Sequence, residues 1–266
     1  MPHRSLVILL ITFASVAVAQ PDAFQKSLEL DSEVRLLSTD RLGNFYVLTR
    51  SSLWKIGTDG QVMANRTYPD ADSVRMLEAW NPLKILLHAG GHRFDLLDSD
   101  LQSSPETEAL DEALAIHPML VTSGAYTRLM WILDSDGSVK FIDWTAQKVI
   151  MESTPFDAVK VPIHIQQLRN YQNNLFLLDR GHGLYVVGRS GKLVDRLEFD
   201  GASHMGSLGE DIYVHLPGRV VFIDLYTKDR YEIPVPADVS TAAVTDERLL
   251  LASGKRILLK SFRPKS

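Results

Sequence analysis

The stretch that decides the fold lies between residues 34 and 64: Val34-Arg35-Leu36-Leu37, Asp40-Arg41-Leu42-Gly43-Asn44, Phe45-Tyr46-Val47-Leu48, Leu53-Trp54-Lys55-Ile56, Thr58-Asp59-Gly60 and Val62-Met63-Ala64. Its apolar runs are about five residues long, rich in β-branched and aromatic side chains, and separated by Asp, Gly and Asn, which is the pattern of strands joined by tight turns. Four strands and three turns fit into it. A sheet of that size needs neighbours to cover both its faces, so the rest of the chain must supply them.

Working outward, the same unit recurs with a period near 40 residues. The second copy starts near Val74 and carries Leu83-Lys84-Ile85-Leu86-Leu87 and Phe94-Asp95-Leu96-Leu97. The third has Leu129 to Leu133, the turn Asp134-Ser135-Asp136-Gly137, and Val139 to Asp143. The fourth has Leu175 to Leu178 and Leu184 to Val187, the fifth Ile212 to Val214 and Val220 to Asp224, and the sixth Leu249 to Leu251 and Ile257 to Ser261. Radial stacking of four-stranded sheets is the solution that leaves only short, protected edges, so the expected fold is an all-β, six-bladed β-propeller. A β-sandwich also offers many short strands, but regular spacing favours the ring. The sixth unit ends after its third strand, and Phe24 to Leu30 is the spare segment that can complete it. One interruption reads as a short helix between the second and third units: Ser104-Pro105-Glu106-Thr107-Glu108 offers a capping Ser, Pro at the first helical position and early acids, and leads into Ala113-Leu114.

His3 and Arg4, the apolar run Leu6 to Val18 and the small-x-small ending Ala17-Val18-Ala19 match a secretory signal peptide over residues 1–19, which leaves 20–266 as one propeller domain. The apolar run is too short to span a bilayer comfortably, so a retained anchor is the weaker alternative and no transmembrane span is expected. The expected location is periplasmic or secreted. Among 266 residues there are 28 Lys plus Arg, 33 Asp plus Glu and no Cys, for a net charge of -5. This balance disfavours nucleic-acid binding through a general positive field. The absence of cysteine excludes disulfides, thiolate metal sites and cysteine nucleophiles, and for an exported chain it points to a bacterial envelope.

The rhythm Asp-x-x-Gly-Asn-Phe-Tyr-Val at Asp40 to Val47, followed by Leu-Trp-Lys-Ile-x-x-Asp-Gly at Leu53 to Gly60, resembles NHL-type six-bladed propellers and the small exported propeller proteins of Bacteroidota-type bacteria. The resemblance implies fold; later copies have lost the Gly-Asn pair, and fold alone does not supply an activity.

In a propeller the turn between the second and third strands of each blade lies on the face where ligands and partners commonly sit. There the repeat places His92 and Arg93, His182, Arg219, and Lys255 and Arg256, a partial basic ring suited to an anionic ligand or an acidic patch on a partner. Trp80, beside Asn81-Pro82, is the aromatic side chain best placed to stack a sugar; Trp54 and Trp131 lie inside apolar runs and are expected in the core. Asp40, Asn81, Asp134, Asn173 and Asp246 are assigned to turns before second strands, where Asp and Asn ordinarily cap turns. This argues against a calcium-dependent, lactonase-like hydrolase, and no cofactor or metal is expected. The histidines lack a zinc-protease spacing and no Gly-x-Ser-x-Gly occurs, so no catalytic residues are assigned. The expectation is a non-enzymatic scaffold or protein-binding module with an envelope protein as partner, contacted through Phe199 to His204, Ser153 to Val161 and the segment Ser104 to Ala113. The alternatives are the hydrolase and a carbohydrate-binding propeller.

Overall fold

The computed structural model describes residues 25–103, 108–124, 128–154 and 164–264. The signal-peptide assignment, Phe24, Ser104 to Thr107 and most of Ser153 to Val161 lie outside them. Blade one is β2 (Val34–Thr39), β3 (Phe45–Thr49), β4 (Ser52–Ile56) and β5 (Val62–Thr67). Blade two is β6 (Met76–Glu78), β7 (Ile85–His88), β8 (Arg93–Leu97) and β9 (Glu108–Ala109). Blade three is β10 (Pro118–Ser123), β11 (Leu129–Asp134), β12 (Val139–Asp143) and β13 (Lys148–Glu152). Blade four is β14 (Ile165–Tyr171), β15 (Asn174–Asp179), β16 (Gly183–Val187) and β17 (Leu193–Leu197). Blade five is β18 (His204–Leu208), β19 (Asp211–Leu216), β20 (Arg219–Asp224) and β21 (Arg230–Pro234). Blade six is β22 (Thr241–Val244), β23 (Arg248–Ser253), β24 (Arg256–Ser261) and, from the other end of the described chain, β1 (Gln25–Glu29).

Each blade is a four-stranded antiparallel sheet, and the last is ordered β22-β23-β24-β1. β1 pairs with β24 from Gln25 opposite Lys260 to Glu29 opposite Arg256, so the spare N-terminal segment completes the sixth blade as expected. The first strands touch one another in a closed circuit, β2 to β6, β10, β14, β18, β22 and back to β2.

The core sits between blades. Tyr46 and Leu53 of blade one pack with Leu77, Ile85 and Leu87 of blade two, and equivalent clusters fill every other gap, including Phe45 and Ile56 of blade one against Leu250 and Ile257 of blade six. A second strand is covered on both faces, and β3, for example, is buried at every position; the outer strands β1, β13 and β21 alternate exposed and half-buried residues. The alternation is the period of a strand with one covered face. Trp131 is 2% exposed and Trp54 packs against the cluster between blades six and one, so both belong to the core as expected.

Two expectations fail. Glu108–Ala109 is a strand, paired with Arg93 and Phe94, and Asp111 to Leu114 is a turn closed by the Leu114 amide on the Asp111 carbonyl. The unpaired edge of β8 captures the segment that local signals assigned to a helix, and tertiary pairing overrides propensity. Asp134 is the last residue of β11, the second strand of blade three, so it sits on the opposite face from the turns before second strands. A slip of one strand in aligning the third unit moves a residue from one face to the other.

Candidate functional site

Because the strands alternate in direction, each blade enters its first strand on one face and turns from second to third strand on that same face, here called the upper. The turns from first to second strand lie on the lower face. The six rim residues named from the sequence are all upper. Four of them have local partners: the His92 ring nitrogen Nε2 lies 2.9 Å from the Ala115 carbonyl oxygen, His182 Nδ1 3.0 Å from Asp179 Oδ1, Arg219 Nε 3.3 Å from Glu232, and Lys255 Nζ 2.6 Å from Glu29. Burial would raise the Asp179 carboxyl, but donors from the His164 and Gly181 amides and from His182 hold it below the usual carboxylate range. Glu29 is likewise lowered, by its bond to Lys255. Arg93 and Arg256 open third strands on the same face and are exposed. Three of the six rim charges, at His182, Arg219 and Lys255, are thus answered by a carboxylate on their own blade.

The upper end of the axis holds a small cavity of about 120 Å³ where first strands begin, lined by Arg35, Arg75, Gln166, Gln167, Ser203, His204 and Thr241 among others. Arg35 is engaged by the Ala71 carbonyl and by Asp72 at 3.5 Å. His204 opens β18 opposite His215 on β19. Burial first, then the neighbouring Arg169 and His215 charges, push His204 down to about 3, and burial alone pushes His215 to about 4. Ser203 Oγ lies 2.6 Å from His215 Nδ1, while His215 Nε2 is buried with no hydrogen-bond partner. An imidazole so hard to protonate is a poor general base, and the pair is read as packing.

The larger cavity, about 550 Å³, opens on the lower face beside blades two to four. Its existence traces to β6, which has three residues where β10 has six and β14 seven. After Glu78 the chain leaves the ladder: the Ala79 amide donates to Ser38 Oγ at 3.0 Å, and the Trp80 carbonyl accepts from the Arg41 amide at 3.2 Å, both in blade one. Asn81-Pro82 then turns the chain, with Asn81 Oδ1 accepting from the Leu83 amide and its carbonyl from the Lys84 amide. Proline at the second turn position and Asn at the first suit such a turn. Trp80 is left 45% exposed at the mouth.

Across the opening, Gln172 and Asn173 form the two-residue turn between β14 and β15, with φ of 45° and 65°. Both being left-handed, the turn matches the right-handed twist of its strands and holds the two amide side chains at the mouth. Arg169 on β14, only 8% exposed, is held by Ser207 Oγ at 3.1 and 2.9 Å, and its guanidinium lies 5.7 Å from the Trp80 ring centre. This cation–π contact links blade four to blade two. Glu78 is the carboxylate of the lining, and its Oε2 accepts from the Ser123 amide at 2.8 Å and Thr122 Oγ1 at 3.3 Å. Arg41 and Lys84 are exposed cations of the same lining. Among the described residues neither has a carboxylate within ion-pair distance.

Of the residues singled out in the sequence, Trp80 reaches this cavity, with Asn81 and Asn173, which had been assigned only to turns. Arg41, Lys84 and Arg169 were missed. Asp40 and Asp134 are occupied internally. Asp40 accepts from the Leu42 and Asn44 amides, Asn44 Nδ2 and Tyr46 Oη. Asp134 accepts from the amides of Ile116, His117 and Ser135 and from Lys140 Nζ at 2.8 Å. Among the described residues no group of three or more potential metal-ligating acids or histidines comes together.

Fold and cavity together define a six-bladed β-propeller with a cationic, amide-rich pocket at the lower mouth of its axis. The solved structures it resembles include two of extracellular domains from B. thetaiotaomicron. One is assigned to a one component system, BT4673, with a TM-score of 0.53 at 11% identity over 87% of this chain. The other, described as belonging to a hybrid two component system of the same designation, gives 0.52 at 10% identity over 87%. The chain spans 35% of the length of each. At such identity the likeness shows the fold. No protein-family model and no curated protein matches the sequence.

Proposed function

We propose that this protein is an exported, non-catalytic binding module of a bacterial cell envelope, and that the lower mouth of the propeller is its recognition surface. The observation that carries this reading is the cavity: about 550 Å³, within the range of roughly 300–1,000 Å³ usual for ligand sites, with an exposed indole and two cations at its opening that meet no carboxylate among the described residues. Export is supported by the leader-like residues 1–19 and by neighbours that are extracellular domains. Among the described residues no helix is long and apolar enough to cross a membrane. The NHL-like rhythm of blade one belongs to the same reading. On the upper face, Arg93 and Arg256, with the paired His92, His182, Arg219 and Lys255, are proposed as secondary contacts for a protein partner. The hydrolase reading draws no support from Asp40 and Asp134, whose oxygens already accept from backbone amides and side chains.

The test compares immobilised wild-type protein with an Arg41→Glu/Lys84→Glu variant as bait for solubilised envelope of the source organism. A component retained in stoichiometric amount by the wild type and lost from the variant is expected. Equal retention by both, or none by either, would remove the lower mouth as a recognition surface.

A further inference from the structure

The lining of the lower cavity has the chemistry of one ligand class. Resting on the reading of this mouth as a recognition surface, we propose that it binds an acidic saccharide, a pyranose unit carrying a carboxylate or a sulfate. Trp80 is the platform. Its ring is held by the backbone bonds of Ala79 and Trp80 to blade one and by Arg169, so it is presented without the entropy cost of ordering a loose side chain. An indole face suits the C–H face of a sugar ring, apolar in the middle and polar at its edge.

Around that platform stand the amides of Asn81, Asn170, Gln172 and Asn173. Each carries a donor and an acceptor in one plane, which matches neighbouring hydroxyls that both give and take hydrogen bonds. A nucleotide would use the indole and the cations as well, and is therefore carried as an alternative outcome of the test. The charge decides the remainder. Among the described residues of the lining, Arg41, Lys84 and Arg169 face a single carboxylate, Glu78, which already accepts from Thr122 and Ser123, so a neutral sugar would leave the positive excess uncompensated. Arg offers a planar fork that fits carboxylate or sulfate equally, and the two sources of that anion are therefore separated by experiment.

The experiment is calorimetric titration of the full chain with oligogalacturonate, a heparin-derived tetrasaccharide, maltotriose as a neutral control, and AMP as an aromatic anion, with indole fluorescence read in parallel. Binding of oligogalacturonate or of the heparin fragment is expected, identifying carboxylate or sulfate as the anion, and the affinity should fall by about tenfold or more in Trp80→Ala and in Arg41→Ala/Lys84→Ala. It should weaken when salt is raised from about 0.05 to 0.5 M, as screening requires. Trp80→Phe, which keeps a platform, should retain part of the affinity while losing the fluorescence change, and thermal melts of each variant separate lost contact from lost fold. Four outcomes overturn the proposal: affinity unaffected by both sets of variants, binding of maltotriose alone, binding of AMP alone, or no binding at all. If the saccharides fail while an envelope component is still retained in a manner sensitive to Arg41→Glu/Lys84→Glu, the saccharide class falls and the recognition surface stands. If both fail, the surface falls too.

Discussion

Mild acid should unfold this propeller through two histidines, His204 and His215, that face each other across β18 and β19. Both are held neutral, chiefly by burial, at about 3 and about 4 against an ordinary value of 6.5. The sign follows from which state binds protons. The unfolded chain protonates both rings as pH falls through about 6.5, whereas the folded chain resists, so their contribution is complete above that pH and is lost progressively as pH falls towards the folded values. At about pH 4.5 each ring costs about 2.5 kcal/mol and the two together about 5 kcal/mol, comparable to the whole stability of an ordinary domain. The carboxylates Asp31 and Asp134 do not compete in this window: the Ser52, Ser51 and Thr49 hydroxyls outweigh burial at Asp31, the Lys140 ammonium and three amides outweigh it at Asp134, and both are held at about 2. Asp211, raised by burial, works in the opposite direction.

The assay is urea denaturation from neutral pH down to about pH 4 for wild type, His204→Leu, His215→Leu and the double variant. His215→Leu removes a buried Nε2 that lacks a hydrogen-bond partner but also the Ser203 Oγ contact to Nδ1, two effects of opposite sign, so its stability at neutral pH should change by no more than about 1 to 2 kcal/mol. Each single variant should flatten the acid limb by about half and the double variant should shift the acid midpoint clearly downward. A double variant whose acid midpoint coincides with that of wild type would refute the reasoning.

Three further outcomes test the frame around the site. Asp134→Ala should cost about 3–5 kcal/mol by urea denaturation, because it takes from the buried Lys140 its 2.8 Å partner, leaving the half-exposed Glu152 at 3.5 Å and the more distant Asp136, and removes the acceptor of three amides. Asp134 lies below its usual value, so in the wild type this contribution is present above about pH 3.8 and disappears as pH falls through about 2. Gly206→Ala should lower stability by about 2 kcal/mol or more, since the added Cβ would lie 2.2 Å from the Tyr213 ring and hydroxyl, and Tyr213 in turn accepts from the Val244 amide. Deleting Gln25–Glu29 should expose the β24 edge, lower the melting temperature and produce self-association visible by size-exclusion chromatography, whereas an unchanged monomer would mean that ring closure contributes little.

The fold was legible because the features that encode a blade are local. Short apolar runs, turn residues and their spacing near 40 residues mark every second and third strand, and the shortage of one strand at the end of the sixth unit names its partner, Gln25–Glu29. Legibility failed where the deciding contact is distant. Ser104 to Glu108 carries helix-starting residues, yet Glu108–Ala109 joins β8, whose open edge lies 14 to 16 residues back in the chain and is invisible to a local pattern. Asp134 was misplaced because the turn Asp134-Ser135-Asp136-Gly137 looks the same on either face; only the pairing of β10 with β11 identifies which strand it ends.

The same distinction explains the site. His92, Arg93, His182, Arg219, Lys255 and Arg256 could be named from their turns, but Glu29 and Glu232 sit on outer strands, and their pairing with Lys255 and Arg219 depends on cross-strand register. The lower cavity is harder still, because it arises from a strand that stops early. The pairing of β6 with β7 ends at Glu78, and continuing it would have fixed Trp80 in a ladder. Instead Ser38 and Arg41 of the preceding blade take up the bonds of Ala79 and Trp80, and the vacated width is what Arg41, Lys84 and Arg169 surround. Lengthening the ladder of blade two would narrow this mouth while leaving the ring intact, so the cavity depends on a local shortening of β6 that the propeller fold itself does not require.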